Sequence, residues 1–327
     1  MKIAMLLDQI IYPQVINPKT EQRFLELGEV SFNRTRENDL ENAKKVLKNA
    51  DFAVTSWGSP AMAKELLDVA PNLKLIVHAA GSVKSVVTDE MFARGIRIAS
   101  AARVLSTGVS ETALGLTIAS AKNIFTLNAE THAGGWSHTG ITELYDITVG
   151  IIGFGMAGRH YAELLQSFSV DVIAYDPVVS AEEMQKLGVR KVTQEEAFAQ
   201  SDILSLHAPE IASTYHIVNS DSLASMKDGA ILINTARGSL VDEAALVQAL
   251  RSGKLKYACL DVTSPEPPAA DSPLRQLPNC ILTPHLAGEA NNGLRKLGDH
   301  CYRQICNYLE NRPLSGEVRQ EMLATIA

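Results

Sequence analysis

The chain reads as an α/β protein made of two doubly wound parallel-sheet domains, and three observations lead there. Short apolar strand patterns alternate with amphipathic helix patterns through the 327 residues, the arrangement of a parallel sheet covered by helices. A glycine-rich turn, Gly153-Phe154-Gly155-Met156-Ala157-Gly158, sits between an apolar run and a helical pattern in mid-chain, leaving room for another whole domain before it. After the last strand pattern a helical stripe of Ala290, Leu294, Leu297, Cys301, Ile305 and Tyr308 remains. Its apolar face needs a partner, and the first domain is the natural one, so that domain is read as discontinuous.

Composition narrows the function classes. With 46% hydrophobic and 20% charged residues the chain is ordinary globular material, long enough for two domains. A formal charge of -7 and the lack of basic blocks disfavour a nucleic-acid surface. The apolar residues Met1 to Leu7 are too short for a signal peptide and run into Asp8, and no stretch has the length of a membrane span. Cys259, Cys280, Cys301 and Cys306 lack metal-ligand spacing. They are expected to be reduced core thiols in a cytoplasmic protein with no metal site.

The elements follow in order. Lys2 to Leu7, Asp51 to Thr55, Leu73 to His78 and Ile96 to Ala99 have the short apolar runs of buried strands. Between them Leu40, Ala43, Val46 and Leu47, and then Met62, Leu66 and Leu67 after Pro60, have helical spacing. Gly108 to Asn128 reads as one long helix, apolar on several sides and hence buried. It is the expected crossover between domains and a subunit interface, which predicts a homodimer. Strand patterns resume at 147–152, 170–175, 203–206, 230–234, 257–261 and 280–283.

The glycine turn has a reading at each residue. After the strand Ile147 to Ile152, Gly153 permits the tight turn, Gly155 lets backbone approach a pyrophosphate, and Gly158 lets the next helix lie close to the strand. That helix, with Tyr161, Leu164, Leu165 and Phe168 on its apolar face, points free N–H groups at the phosphates. Asp176 ends the second strand, 18 residues after Gly158. An acid there accepts ribose hydroxyls and repels a 2′-phosphate, so the cofactor expected is NAD rather than NADP.

Ligands of such sheets bind outside the carboxyl ends of strands, so ionisable residues just after strands carry the chemistry. Arg237 follows the strand ending at Asn234, Glu266 the strand ending at Asp261, and His285 the strand ending at Thr283. Hydride transfer to a 2-keto acid needs a proton donor at the carbonyl oxygen, and imidazole serves near neutral pH. A carboxylate behind such a ring fixes its orientation and favours its charged form. A guanidinium clamps a substrate carboxylate in a bidentate fork.

On these residues the chain resembles the D-isomer-specific 2-hydroxyacid dehydrogenase family, most clearly from Val149 to Gly288. Ile233-Asn234-Thr235-Ala236-Arg237-Gly238 to Glu243 is similar to that family's arginine signature. Asp261 with Pro265-Glu266-Pro267 resembles its glutamate segment, and Thr283-Pro284-His285 its histidine segment. The resemblance implies a Rossmann NAD-binding domain (104–288) inserted in a flavodoxin-like substrate domain (1–103 and 289–327). It implies His285 as acid/base, Glu266 as its tuner and Arg237 as the substrate clamp. It further implies cofactor contacts from Gly153, Gly155, Met156, Ala157, Gly158, Asp176, His207, Ala208, Thr235, Ala236, Asp261, His285 and Gly288. Asp261 matches the position near the nicotinamide carboxamide. Ala79-Ala80-Gly81-Ser82-Val83 resembles the loop holding the substrate carboxylate, so Ala80 and Gly81 join Arg237 and His285 as substrate contacts.

Departures lie at Met156, where many members have Arg, at the bulky Ser56-Trp57-Gly58-Ser59-Pro60 turn, and at Lys84-Ser85-Val86-Val87, where the family usually has an Asp-containing stretch. Trp136 reads equally as an interface anchor or as a substrate contact from a neighbouring subunit. The expected activity is NAD-dependent hydride transfer between a D-2-hydroxy acid and its 2-keto acid. The alternatives are an NADH-sensing, corepressor-like binding protein and a formate-type dehydrogenase. Glu266 argues against the latter, whose histidine is backed by an uncharged residue.

Overall fold

In the computed structural model, residues 1–36, 39–289 and 291–326 are described. Two compact units result, Met1–Leu105 with Glu289–Ala327, and Ser106–Gly288.

The first unit is built on strands β1 (Lys2–Met5), β2 (Glu29–Phe32), β3 (Phe52–Thr55), β4 (Leu75–His78) and β5 (Arg97–Ser100). They run parallel in the order β2-β1-β3-β4-β5, with the short strand Glu317–Val318 antiparallel on β5. This 2-1-3-4-5 order is the flavodoxin-like winding. β3 and β4 are buried at every residue, because helices cover both faces of a parallel sheet. One face packs on Val46, Leu66 and Met91. The other packs on Leu294, Leu297, Cys301 and Ile305 of the helix Asn291–Leu309, the partner expected for that stripe; Ala290 lies outside the described residues. Two strands escape the sequence patterns for physical reasons. β2 is a half-exposed edge strand that alternates instead of forming an apolar run, and Glu317–Val318 is only two residues long.

The second unit contains β6 (Tyr145–Ile152), β7 (Ser169–Tyr175), β8 (Arg190–Lys191), β9 (Ile203–Leu206), β10 (Ala230–Asn234), β11 (Leu255–Leu260) and β12 (Cys280–Leu282). All are parallel, in the order β8-β7-β6-β9-β10-β11-β12. The chain winds outward from β6 in both directions, which is the Rossmann arrangement. Strand order therefore reverses between β6 and β9, whose ends Ile152 and Leu206 pair directly. A crevice at such a reversal is where these sheets take ligands.

The long helix expected over 108–128 is two helices, Ala102–Ala121 and Ile124–His132. Asn123 breaks it with φ +57°, a left-handed conformation that asparagine tolerates, and its side chain accepts a hydrogen bond from the Tyr257 hydroxyl at 2.7 Å. Burial also differs from expectation. The buried positions of the first helix are Ser106, Ser110, Ala113, Thr117, Ser120 and Ala121, while Val109, Leu114, Leu116 and Ile118 are only half-buried. Small side chains allow close approach to the helix Met156–Leu165, where Ser110 Oγ donates to the Ala157 carbonyl at 2.9 Å. Thr117 Oγ1 lies 2.6 Å from the Tyr161 hydroxyl.

Cys259, Cys280 and Cys301 are buried free thiols, and Cys306 is half-buried rather than a core residue. Among the described residues no helix is long and apolar enough to cross a membrane.

Candidate active site

The glycine turn links β6 to the helix Met156–Leu165, immediately beside the strand reversal. Gly153 has φ +91°, and a Cβ there would lie 2.5 Å from the Ala208 backbone nitrogen. Only glycine lets this turn press against the His207-Ala208 segment that leaves β9. A Cβ on Gly158 would meet the Gly153 carbonyl oxygen at 2.2 Å, which explains the third glycine. Gly155 and Met156 are exposed at the helix N-terminus, which has no side-chain cap. Its first N–H groups therefore face solvent with their partial positive charge.

Asp176, half-buried after β7, ties this turn to its own loop. Oδ2 accepts from the Phe154 N–H at 2.8 Å, and Oδ1 from Val178 at 2.8 Å and Val179 at 3.1 Å. The carboxylate is thereby fixed before any ribose hydroxyl reaches it. Arg159 folds back on the same turn, its Nε donating to the Phe154 carbonyl at 3.1 Å.

The residues present fit a dinucleotide. Among the described residues four buried side-chain polar atoms lack a hydrogen-bond partner, and two of them, Thr235 Oγ1 and His207 Nδ1, belong to the expected cofactor contacts. Buried polar groups left so are costly unless a ligand satisfies them. His207 Nε2 is 2.9 Å from Ser205 Oγ and its ring lies 5.1 Å from that of Tyr161. Burial pushes its pKa down to about 4, so the ring is neutral at pH 7.

Arg237, Glu266 and His285 follow three adjacent strands, β10, β11 and β12. The half-buried Arg237 opens a 3-10 turn, Gly238–Leu240. Its Nη1 donates to the Ala236 carbonyl at 2.7 Å, and among the described residues no carboxylate pairs with it. The fully buried Asn234 shapes this segment, accepting from the Ala236 N–H at 3.0 Å and donating to the Arg237 carbonyl at 2.8 Å. A Cβ on Gly238 would lie 2.0 Å from the Thr263 carbonyl. The arginine loop thus rests directly on the backbone that leads into Glu266. Both Asn234 and Gly238 were missing from the expected site residues, although the Asn-Thr-Ala-Arg-Gly run contains them.

His285 Nδ1 lies 2.9 Å from Glu266 Oε2, with both side chains nearly half-exposed. The structure brings this pair together; Arg237 reaches them through its loop and not by direct contact. His285 has φ +51°, uncommon for a residue with a side chain. Its N–H donates to the carbonyls of Asp261 at 2.9 Å and Thr283 at 3.0 Å. Asp261, 1% exposed, holds the rest of that loop. Its carboxylate accepts from Thr283 Oγ1 at 2.5 Å and from the N–H groups of Leu286 and Ala287 at 2.9 Å each. Its observed task is therefore to hold the backbone on either side of His285, alongside any contact with the cofactor.

Ala208 and Ala236 are buried beside the ends of β9 and β10. Gly288 follows Ala287, whose carbonyl lies 3.4 Å from Thr112 Oγ1. Ala80 and Gly81 belong to the first unit, in the loop after β4. Trp57 packs on that unit's core and Lys84 is exposed. Trp136, 81% exposed, makes an edge contact with His138.

Comparison with known proteins identifies the family. Residues 114–287 match the family model described as D-isomer specific 2-hydroxyacid dehydrogenase, NAD binding domain. The D-3-phosphoglycerate dehydrogenase of Archaeoglobus fulgidus is 34% identical over 257 residues, covering 78% of this chain and 49% of the relative. This chain thus spans about half the length of that relative. The hydroxypyruvate reductase of Thermotoga maritima is 34% identical over 265 residues, covering 80% of this chain and 85% of the relative. A solved glyoxylate reductase from Paecilomyes thermophila superimposes with a TM-score of 0.81 at 26% identity, covering 98% of this chain and 99% of that one.

Proposed function

The chain belongs to the D-isomer specific 2-hydroxyacid dehydrogenase family, with NAD as its cofactor, and we propose that it interconverts a small D-2-hydroxy acid and the matching 2-keto acid. The observation that carries this reading is the His285–Glu266 contact of 2.9 Å, with Arg237 following the strand next to the one that leads into Glu266.

NAD, when bound, accepts or supplies the hydride. The protein's residues handle the substrate and the proton. Glu266 faces Nδ1 of His285, so Nδ1 is the nitrogen that carries a fixed proton and Nε2 the one that exchanges a proton with the substrate oxygen. In reduction Nε2 donates as negative charge develops on the carbonyl oxygen; in oxidation it removes the hydroxyl proton. Arg237, paired with no carboxylate among the described residues, clamps the substrate carboxylate in a bidentate fork and favours the developing oxyanion. The backbone of Ala80 and Gly81 is assigned as a second carboxylate-holding element. Thr235 Oγ1, His207 and the Gly153–Gly158 turn are assigned to the dinucleotide, with Asp176 selecting NAD over NADP.

A homodimer belongs to the same proposal. Ile124, Trp136, Ile141 and Tyr145 are exposed by 50%, 81%, 46% and 68%, an apolar display within one segment that a second copy would cover.

The test is NADH oxidation followed by absorbance with glyoxylate, hydroxypyruvate, pyruvate and branched 2-keto acids. Turnover of at least one is expected, and His285→Ala should reduce it by about 10²- to 10⁴-fold, the range of general acid catalysis, with NADH affinity retained. NADH binding without turnover of any 2-keto acid would instead identify a sensor.

A further inference from the structure

In the first unit the loop after β4 is gripped at four successive backbone positions by side chains from the carboxyl edge of the sheet. Ser56, next after β3, donates to the Ala79 carbonyl at 3.0 Å. Ser100, the last residue of β5, donates to the Gly81 carbonyl at 2.6 Å, with the Ala80 carbonyl 3.3 Å away. His78, the last residue of β4, has a ring pKa lowered chiefly by burial, and its hydrogen bond with the Ser82 backbone acts the other way, as donation to a carbonyl does. Its Nδ1 is 2.9 Å from Thr55 Oγ1 at the end of β3. These side chains are buried, with Ser56 1%, His78 1% and Ser100 3% exposed.

The donors of the same loop are treated differently. Among the described residues the N–H groups of Ala80 and Gly81 have no hydrogen-bond partner in the protein, although Ala80 is 1% exposed. Carbonyl oxygens repel an anion and N–H groups attract one. A loop whose carbonyls are all engaged by fixed donors, while two adjacent N–H groups stay available, is preorganised for a carboxylate. Ser100 is central, since its hydroxyl also accepts from the Ala102 N–H at 3.0 Å, which leaves its single proton directed at the loop.

We infer that Ser100, backed by Ser56 and His78, is a positioning residue that sets substrate affinity by holding the Ala80–Gly81 N–H groups ready for the substrate carboxylate. The inference rests on the proposed assignment of that loop to the substrate. It concerns binding and not the proton or hydride step, so it predicts a specific split of kinetic constants.

The experiment compares Ser100→Ala, Ser100→Thr and Gly81→Pro with the parent, using hydroxypyruvate or glyoxylate, whichever turns over faster. Ser100→Ala should raise KM about tenfold, the size of one lost buried hydrogen bond, with kcat within about twofold and NADH affinity unchanged. Ser100→Thr, which keeps the hydroxyl, should recover most of the KM. Gly81→Pro removes one of the two N–H groups and should raise KM at least as much. A Ser100→Ala protein that melts at lower temperature with KM unchanged has lost only a structural bond, and the inference is overturned. If Gly81→Pro raises KM and Ser100→Ala does not, the loop assignment stands and the role of Ser100 falls. If Gly81→Pro leaves KM unchanged, or the parent turns over no 2-keto acid, the underlying assignment fails and takes the inference with it. Should Gly81→Pro not fold, the Ala and Thr variants at position 100 still decide.

Discussion

Replacing Gly238 by Ala adds one methyl group where the arginine loop rests on the segment before Glu266. The new Cβ would lie 2.0 Å from both the carbonyl carbon and oxygen of Thr263 and 2.6 Å from the Ser264 nitrogen. Ordinary contact begins near 3.4 Å, so the two backbones must separate by about 1.4 Å, the difference of 3.4 and 2.0. These are main-chain atoms with no rotamer to escape into. The strain appears as movement of the Arg237 loop relative to Glu266 and, through it, His285. Misplacement of catalytic groups by about 1 Å costs about 10²-fold in rate, close to 3 kcal/mol in the transition state. Overpacking adds about 1–3 kcal/mol of lost stability. Steady-state kinetics with NADH and the best 2-keto acid should show kcat/KM lowered by about 10²-fold. NADH binding, followed by fluorescence, should weaken less than this, because Thr235 and Ala236 share the moved loop whereas the glycine turn at 153–158 and Asp176 lie on other strands. A Gly238→Ala protein with kcat/KM within threefold of the parent would refute the claim that this contact sets the register of the Arg237 and Glu266 loops.

Two other perturbations address the framework. Asp261→Asn turns one of two acceptor oxygens, both engaged in a 1%-exposed site, into a donor facing N–H or O–H groups; a loss of about 3 kcal/mol should lower the melting temperature by about 6–12 °C for a domain of this size and kcat with it, while an unchanged melting curve would show that the carboxylate does not hold the His285 loop. The buried rings of His78 and His300 are held at pKa values of about 4 by desolvation, below the unfolded value of about 6.5. The unfolded chain therefore binds protons that the folded chain refuses as pH falls from 6.5 towards 4. Stability is full above pH 6.5 and declines below it, by up to about 3 kcal/mol per ring. Urea midpoints at pH 7.5 and pH 5 measure this, and equal midpoints would contradict it.

Much of the site was legible because its chemistry is local in sequence. The strand, the three glycines and Asp176 lie within residues 147–176, and Gly153 and Gly158 have backbone reasons for their identity. Arg237, Glu266 and His285 were legible as ionisable residues just after apolar strands, and the structure brings His285 and Glu266 into contact. The region 102–132 is legible as helical but not as two helices. Periodicity measures apolar content, whereas burial there follows small hydroxyl residues that allow close packing, and the break at Asn123 depends on a hydroxyl from Tyr257, 134 residues away.

The sequence by itself determined the doubly wound class, the main buried strands, the glycine turn and the identities of the ionisable groups. These follow from alternating burial and from residue types whose conformational or chemical properties admit few substitutes. Only the tertiary structure decided which groups are held and which are left available. The grip of Asp261 on the His285 loop, the seat of Gly238 on Thr263 and the hydroxyls holding the loop at Ala80 all join residues on different strands. Contacts of that kind are set by how strands pair and loops approach, and no local pattern in the chain encodes them.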